Sequence, residues 1–436
     1  MKVKVDDLVC EANAVCMGLA PEVFEVDDDD QLHILLPEPP PRCRIASATR
    51  SGPAPKPPFP SRNSPRHELE EEPHMRAAIL HAVGNDKLDI RDDVTLAPVG
   101  ATDVRVRIRA TGVCHSDLSA MSGVLPQPVP LVPGHEGAGE VVEVGEHVTS
   151  VKPGDHVIIS WRPACQECDL CVSGQPYLCM KYVIEGFTKG NFRFGGDGAT
   201  AFGMAGCGTW AEEIIVPWQG AIKVDDDVSW EAAALIGCGI TTGVGAAINT
   251  AKVRPGSTVA VIGCGGVGLS VIQGARVSGA RTILAIDPLE SKHELAKKVG
   301  ATHAVTPEQV PEALAELTGG GGFDYGFEVV GKSATIQSAW QVTRAGGDVI
   351  VVGAGAMDDM VSISAFSLLF EGKNLLSSLY GEADVRHDFP YFAKLHKAGK
   401  LDLESMISSR IRLADLNDAV AALRGGEVLR QIVLMD

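Results

Sequence analysis

The sequence predicts an α/β protein built in two styles, an antiparallel barrel-like β domain followed by a doubly wound parallel sheet. Three observations carry this prediction. After Met75, apolar and charged residues alternate between Gly- and Pro-marked turns. From Thr258 onward, short uniformly apolar runs alternate with helical stretches. The turn Gly263-Cys264-Gly265-Gly266-Val267-Gly268 joins the first of these runs to a helix.

Residues 1–74 precede both halves. Cys10-x5-Cys16, followed by the acidic run Asp27-Asp28-Asp29-Asp30, resembles the first half of a small bacterial iron–sulfur ferredoxin. A ferredoxin needs a further cysteine, usually before proline, but Cys43 is followed by Arg44. Residues 37–66 are rich in Pro, Ser and Arg, which bury too little apolar surface to offset chain entropy. The segment reads as a ferredoxin-like remnant and disordered linker ahead of an enzyme starting at Met75. A working iron–sulfur electron-transfer fusion is the alternative.

In the first half, residues 104–109 alternate Val, Arg, Val, Arg, Ile, Arg, the period of a half-buried strand. Val132-Pro133-Gly134 and Lys152-Pro153-Gly154-Asp155 read as turns. In the second half, Thr258–Ile262 is a short buried strand, residues 269–277 an apolar helix and Thr282–Ile286 the next strand. Later strands are expected at 325–330, 348–352 and 375–379, with helices between them. Such alternation implies a parallel doubly wound sheet.

Two sets of residues carry metal chemistry. Cys165, Cys168, Cys171 and Cys179 stand at C-x2-C-x2-C-x7-C. Four thiolates so close in sequence can close a tetrahedral shell around one zinc ion and leave no room for substrate. The second set is spread out: Cys114 in Gly-Val-Cys-His-Ser-Asp, His135 in Gly-His-Glu-Gly, and Cys238 in Gly-Cys-Gly. Two cysteines and a histidine leave a fourth position open for water or substrate, a set found in alcohol dehydrogenase among other zinc proteins.

The glycine turn follows a strand, opens a helix and lies 24 residues before the acidic Asp287. In that context Gly263 permits the tight turn, Gly265 lets backbone approach a pyrophosphate, and Gly268 lets helix and strand pack closely. Helix N–H groups then face the phosphates. Asp287 would accept from the adenosine ribose hydroxyls and repel a 2′-phosphate, favouring NAD over NADP.

With these motifs in order, residues 75–436 resemble the zinc-dependent medium-chain alcohol dehydrogenases, near the glutathione-dependent formaldehyde dehydrogenase group. Gly134-His135-Glu136-x2-Gly139-x5-Gly145-x2-Val148 fits that family's zinc signature. The resemblance implies a GroES-like barrel catalytic domain over 75–239, with the structural zinc lobe inside it. It implies a Rossmann cofactor domain over 240–379 and a return to the catalytic domain over 380–436. The implied reaction is reversible oxidation of an alcohol to an aldehyde or ketone, with hydride passing from a zinc-bound alkoxide to NAD. It needs one catalytic and one structural zinc per chain. By the same resemblance Ser116 takes the hydroxyl proton, Asp117 fixes the tautomer of His135, and Glu136 is a transient metal ligand or a structural group. His115 and Arg430 contact the cofactor phosphates, Lys292 lies over the adenosine ribose, and Trp161 lines the substrate channel.

Two departures from the family pattern bear on substrate. Ser119 stands where many relatives end the proton relay on histidine, so water finishes it. Leu125 stands where the formaldehyde group carries an acidic residue that holds the glutathione adduct. A small-to-medium primary or aromatic alcohol is therefore expected, with a thiol-adduct formaldehyde dehydrogenase as the alternative.

Charge and composition set the bounds. The net charge of −18 argues against nucleic acid and anionic membrane as partners. No apolar run is expected to span a bilayer, and Met1-Lys2-Val3-Lys4-Val5-Asp6-Asp7 lacks the apolar core of a signal peptide. Of 11 cysteines, six are read as metal ligands, and Cys207 and Cys264 as small buried residues. An unpaired, metal-directed set suits a reducing cytoplasm. A homodimer or homotetramer acting on a small alcohol or aldehyde is expected.

Overall fold

The computed structural model describes residues 24–26, 32–34, 74–426 and 428–435. The chain divides into two units, residues 1–69 and 70–436. In the first, strands Phe24–Val26 and Leu32–Ile34 pair antiparallel, with Phe24 opposite Ile34. The readings of Cys10, Cys16, Cys43 and the 37–66 linker lie outside the described residues.

The second unit begins with the barrel. Its central strand, Asp103–Val113, contains the alternating stretch read from sequence. Val104, Val106 and Ile108 are fully buried, whereas the arginines between them meet carboxylates. Arg105 and Arg107 pair with Glu213 at 2.6 and 3.0 Å, and Arg109 with Glu140 at 3.0 Å. This strand pairs antiparallel with Gly137–Val144, with Glu213–Pro217 and with Arg430–Leu434. The end of the chain thus completes the first sheet. Beside it, a five-stranded sheet starts with Met75–Ile79. The expected turn at 152–155 forms, with Gly154 at φ +87°; at 132–134 Gly134 also has φ +87°, but no turn forms and its carbonyl instead accepts the Thr209 N–H.

The parallel sheet has six strands in spatial order 303–305, 282–286, 258–262, 323–328, 343–351, 374–377. Numbered along the chain this order is 3-2-1-4-5-6, the doubly wound arrangement with its switch point between the first and fourth strands. Alternate residues feed two separate cores. Val259, Val261, Ile283 and Ala285 pack on one side with helix Gly266–Val277, and Ala260, Leu284 and Ile286 on the other with Ala339 and Trp340. Three expected strands are displaced. The one read at 325–330 is Phe323–Glu328, because Val330 and Gly331 turn away to be capped by the Glu328 carboxylate. The one read at 348–352 starts earlier, as Thr343–Val351, and 375–379 becomes Asn374–Ser377.

Between barrel and sheet runs a helical stretch, Trp230–Thr250, capped by Ser229, whose hydroxyl accepts the Ala232 N–H at 3.3 Å. The 239/240 join expected from sequence falls inside it. Its length and mean hydropathy of 1.5 would suffice to cross a membrane, which corrects the expectation that no run could. The cause is burial: 83% of its apolar window is covered by the protein, with Val244, Ala246 and Ala247 in the larger core.

Candidate metal centre and cofactor site

Helix His115–Ser122 places the first candidate ligand at its start. Cys114 is its N-cap, with extended backbone at φ −120°. Asp117, in the first turn, reaches back with both oxygens. Its Oδ2 accepts the Cys114 N–H at 2.8 Å, while Oδ1 accepts the Gly134 N–H at 3.2 Å and faces His135 Nδ1 at 3.0 Å. The network therefore puts the imidazole proton on Nδ1 and leaves Nε2 as the lone-pair atom. That Nε2 is buried and has no hydrogen-bond partner among the described residues.

Cys238 arrives from the long helix, in a π-helical turn, Ile236–Ile240. Inserted π turns bulge a helix locally and often occur at functional sites. Thr241 supports the bulge by donating its hydroxyl to the Ile236 carbonyl at 2.6 Å. The donor atoms of Cys114, His135, Glu136 and Cys238 all lie within 4.8 Å of one another, every residue buried. The neighbouring Cys238 thiol and His135 hold Cys114 well below the usual thiol range, and Cys238 beside it is raised in turn. Burial disfavours a charged His135, but Asp117 and Cys114 overcome it and raise the imidazole well above its usual value, which makes Nε2 a strongly basic donor to a metal taking the place of a proton. Two soft sulfurs, a solvent-free imidazole nitrogen and an adjacent carboxylate suit zinc with one position open. Glu136 itself is engaged elsewhere. Arg430 Nη1 donates to its two oxygens at 3.0 and 3.3 Å, and burial nonetheless pushes the carboxyl up to about 7.

The cysteine lobe has the geometry of a closed shell. Cys165 and Cys171 Sγ are 3.8 Å apart, Cys168 and Cys179 Sγ 4.0 Å. Bonds of about 2.3 Å to a tetrahedral zinc give sulfur–sulfur edges of about 3.8 Å. A disulfide would need about 2.05 Å, and all four are free thiols. Backbone N–H groups of Cys165 and Cys168 point at Cys179 and Cys165 sulfurs, each at 3.4 Å. Cys207 and Cys264 are buried apart from both sets, each pushed up to about 12 by burial.

At the sheet switch point, Gly263 has φ +97°, and a Cβ on Gly268 would lie 1.8 Å from the Gly263 carbonyl oxygen. A Cβ on Gly265 would meet no protein atom within 4 Å, so that side of the turn is open to a ligand. Asp287 ends the second strand and is 3% exposed. Its carboxylate accepts the Cys264 N–H at 2.8 Å and the Leu289 N–H at 3.0 Å, with Lys292 Nζ 3.4 Å away. Arg430, read from sequence as a phosphate contact, is buried and bridges two regions. Its guanidinium presses on Gly239 and on Gly266, the first residue of the helix, while its buried Nε has no partner among the described residues.

The remaining predicted residues are close by or at the rim. Ser116 Oγ lies 3.9 Å from Cys114 Sγ. The Trp161 ring stands edge-on to His135 at 6.4 Å. His115 is exposed and, with Ser119 and the Asp86–Arg424 ion pair, lines a cavity of about 360 Å³. Sequence reading did not find Tyr380, whose ring lies 4.5 Å from Trp161 and whose hydroxyl donates to the Gly237 carbonyl. It did not find the Glu136–Arg430 pair either.

Residues 266–398 match the zinc-binding dehydrogenase model, and residues 100–226 the alcohol dehydrogenase GroES-like domain. An S-(hydroxymethyl)glutathione dehydrogenase from Synechocystis sp. is 36% identical over 368 residues, 82% of this chain and 99% of that protein. The chain belongs to the zinc-binding alcohol dehydrogenase family. Solved structures agree with this membership. An alcohol dehydrogenase zinc-binding domain protein from Burkholderia ambifaria is 32% identical with a TM-score of 0.79, and benzyl alcohol dehydrogenase from Acinetobacter calcoaceticus 30% identical with 0.77. Each alignment covers 83% of this chain and 99% of the other. As a zinc-binding alcohol dehydrogenase the chain is an oxidoreductase, with zinc and NAD as its cofactors.

Proposed function

We propose that this protein reversibly oxidises a small or aromatic alcohol to its aldehyde or ketone. The buried, partnerless Nε2 of His135, facing two thiols, carries the reading. When bound, zinc polarises the substrate oxygen as a Lewis acid and NAD accepts the hydride. Cys114, His135 and Cys238 hold the catalytic metal, and Cys165, Cys168, Cys171 and Cys179 the structural one. Asp117 keeps the His135 proton on Nδ1. Ser116, beside Cys114, takes the substrate hydroxyl proton. Asp287, fixed by two backbone N–H groups, receives the ribose hydroxyls with Lys292 beside it. Arg430 holds Glu136 on one side and presents its free Nε at the phosphate turn on the other.

Trp161, backed by Tyr380, supplies an aromatic wall next to His135, which favours a flat or compact substrate. A second reading, oxidation of S-(hydroxymethyl)glutathione, is supported by the name of the Synechocystis relative. The apolar Leu125 weighs against it, since it cannot pair with an ammonium group. Following NADH absorbance with benzyl alcohol and with the thiol adduct decides between them. A higher kcat/KM for the adduct would replace the first reading.

The protein acts as a homodimer or homotetramer. Strand Asn374–Ser377 ends the parallel sheet with no further strand beside it among the described residues. Next to it, Phe366, Leu369 and Phe370 are about 70% exposed. An open strand edge beside an apolar patch is covered most simply by a second copy about a two-fold axis.

A further inference from the structure

The chain crosses back from the parallel sheet to the barrel through the turn Leu379–Glu382. Three consecutive residues in it have left-handed backbone: Tyr380 at φ +55°, Gly381 at +64° and Glu382 at +50°. For tyrosine and glutamate this conformation brings Cβ close to the following carbonyl oxygen and is disfavoured. Such strain persists only where the surroundings hold it.

Here the surroundings do so at close range. Gly381 lies against the helix that follows the π turn, where a Cβ would sit 2.2 Å from the Thr241 carbonyl oxygen. Asn249 Nδ2 donates to the Gly381 carbonyl at 3.1 Å and to Asp388 Oδ2 at 3.1 Å. Thr250 and Ser378 hydroxyls meet at 2.8 Å on the entering side. So clamped, the turn drives Tyr380 inward until it is 2% exposed. Its hydroxyl donates to the carbonyl of Gly237, the residue before Cys238 in the π turn. Its ring lies 6.3 Å from Phe389 on one side and against Trp161 on the other. Burial raises the phenol well above its usual value, so it remains a donor.

We infer that Tyr380 is a positioning residue for the catalytic metal: its hydroxyl holds the π turn so that Cys238 Sγ faces Cys114 and His135. The strained turn Leu379–Glu382 is the brace behind it. This rests on Cys238 being a ligand of that metal, and the experiment separates the two claims.

Zinc-loaded full-length protein is compared with Tyr380→Phe and Cys238→Ser. Zinc per chain is measured during timed exposure to a chelator, and visible spectra are recorded after cobalt(II) exchange. Tyr380→Phe starts with two zinc ions and loses one of them roughly 10–100-fold faster than wild type, the usual scale for a support behind a metal ligand. Its thiolate-to-cobalt band shifts, while release of the second zinc and NAD affinity stay as in wild type. Cys238→Ser holds one zinc from the outset; a variant holding two would refute the ligand assignment itself. If Cys238→Ser loses its zinc but Tyr380→Phe matches wild type in release and spectrum, the positioning role is wrong. Should Tyr380→Phe fail to fold, Asn249→Ala loosens the turn while keeping the phenol. Faster loss of one zinc supports the brace, and unchanged release overturns it.

Discussion

Cys114 and Cys238 reach the same point from opposite directions, one capping a short helix and the other inside a bulged turn. Cys114→Ser is expected to abolish turnover and remove one zinc per chain while circular dichroism stays that of wild type. Asp287 gives a second prediction. Asp287→Gly removes a carboxylate proposed to bind ribose, and a hydrogen bond to a charged group is worth about 1.5–3 kcal/mol. KM for NAD should rise about tenfold or more, and the preference over NADP should fall; steady-state kinetics with both cofactors measures each. The grouping of the candidate ligands was legible in sequence because each sits in a short motif whose spacing is chemically constrained. Tyr380 and the Glu136–Arg430 pair were not, because their partners lie 143 and 294 residues away and no local pattern marks them.

The cysteine lobe has little apolar core of its own: Ala164, Cys165 and Cys179 are its buried members, flanked by Cys168, Cys171 and Tyr182. Its folding energy must come largely from metal. Cys171→Ser should therefore lower Tm and zinc content together, unlike Cys114→Ser; differential scanning calorimetry with metal analysis checks this. The turn at 152–155 makes a pH prediction. Burial pushes the Asp155 carboxyl up, but Lys223 and Lys152, at 2.6 and 2.9 Å, more than offset it and hold it down to about 2. Its stabilisation is present above the ordinary value of 3.8 and is lost as pH falls toward about 2. Asp155→Asn should thus lower Tm at neutral pH, with the gap to wild type closing across that acidic window. Among the elements, the wholly apolar strands Thr258–Ile262 and Thr282–Ile286 were read to the residue, whereas the period-2 stretch at 104–109 marked only part of Asp103–Val113. Strand Phe323–Glu328 was misplaced because Val329 and Val330 continue the apolar run after the backbone has already turned, a turn set by the Glu328 side chain. The π turn at Ile236–Ile240 left no trace in sequence, since a one-residue bulge barely disturbs an unbroken apolar pattern.

At the scale of the whole molecule, the matched family models begin only at residue 100, and Met75 already lies in a barrel strand paired with Val94. A chain starting at Met75 should keep two zinc ions, NAD affinity and alcohol turnover; loss of activity with stoichiometric iron in the full-length chain would favour the electron-transfer fusion. Sedimentation should show a dimer or larger species, and Leu369→Lys with Phe370→Lys should shift it toward monomer. The division into barrel and parallel sheet was legible from the change in periodicity near Thr258, but the crossing point was not, because a helix that is apolar on all sides shows no seam. That helix has a practical meaning for protein engineering. Trp230–Thr250 carries Cys238 and packs into the same core as the parallel sheet, so the proposed third metal ligand travels with the cofactor half. A hybrid enzyme joined at 239/240 would take its bulged turn from two parents at once. One joined at 225–229, ahead of the Ser229 cap, and again beyond Glu382 would inherit helix, ligand, brace and cofactor sheet as a single exchangeable part.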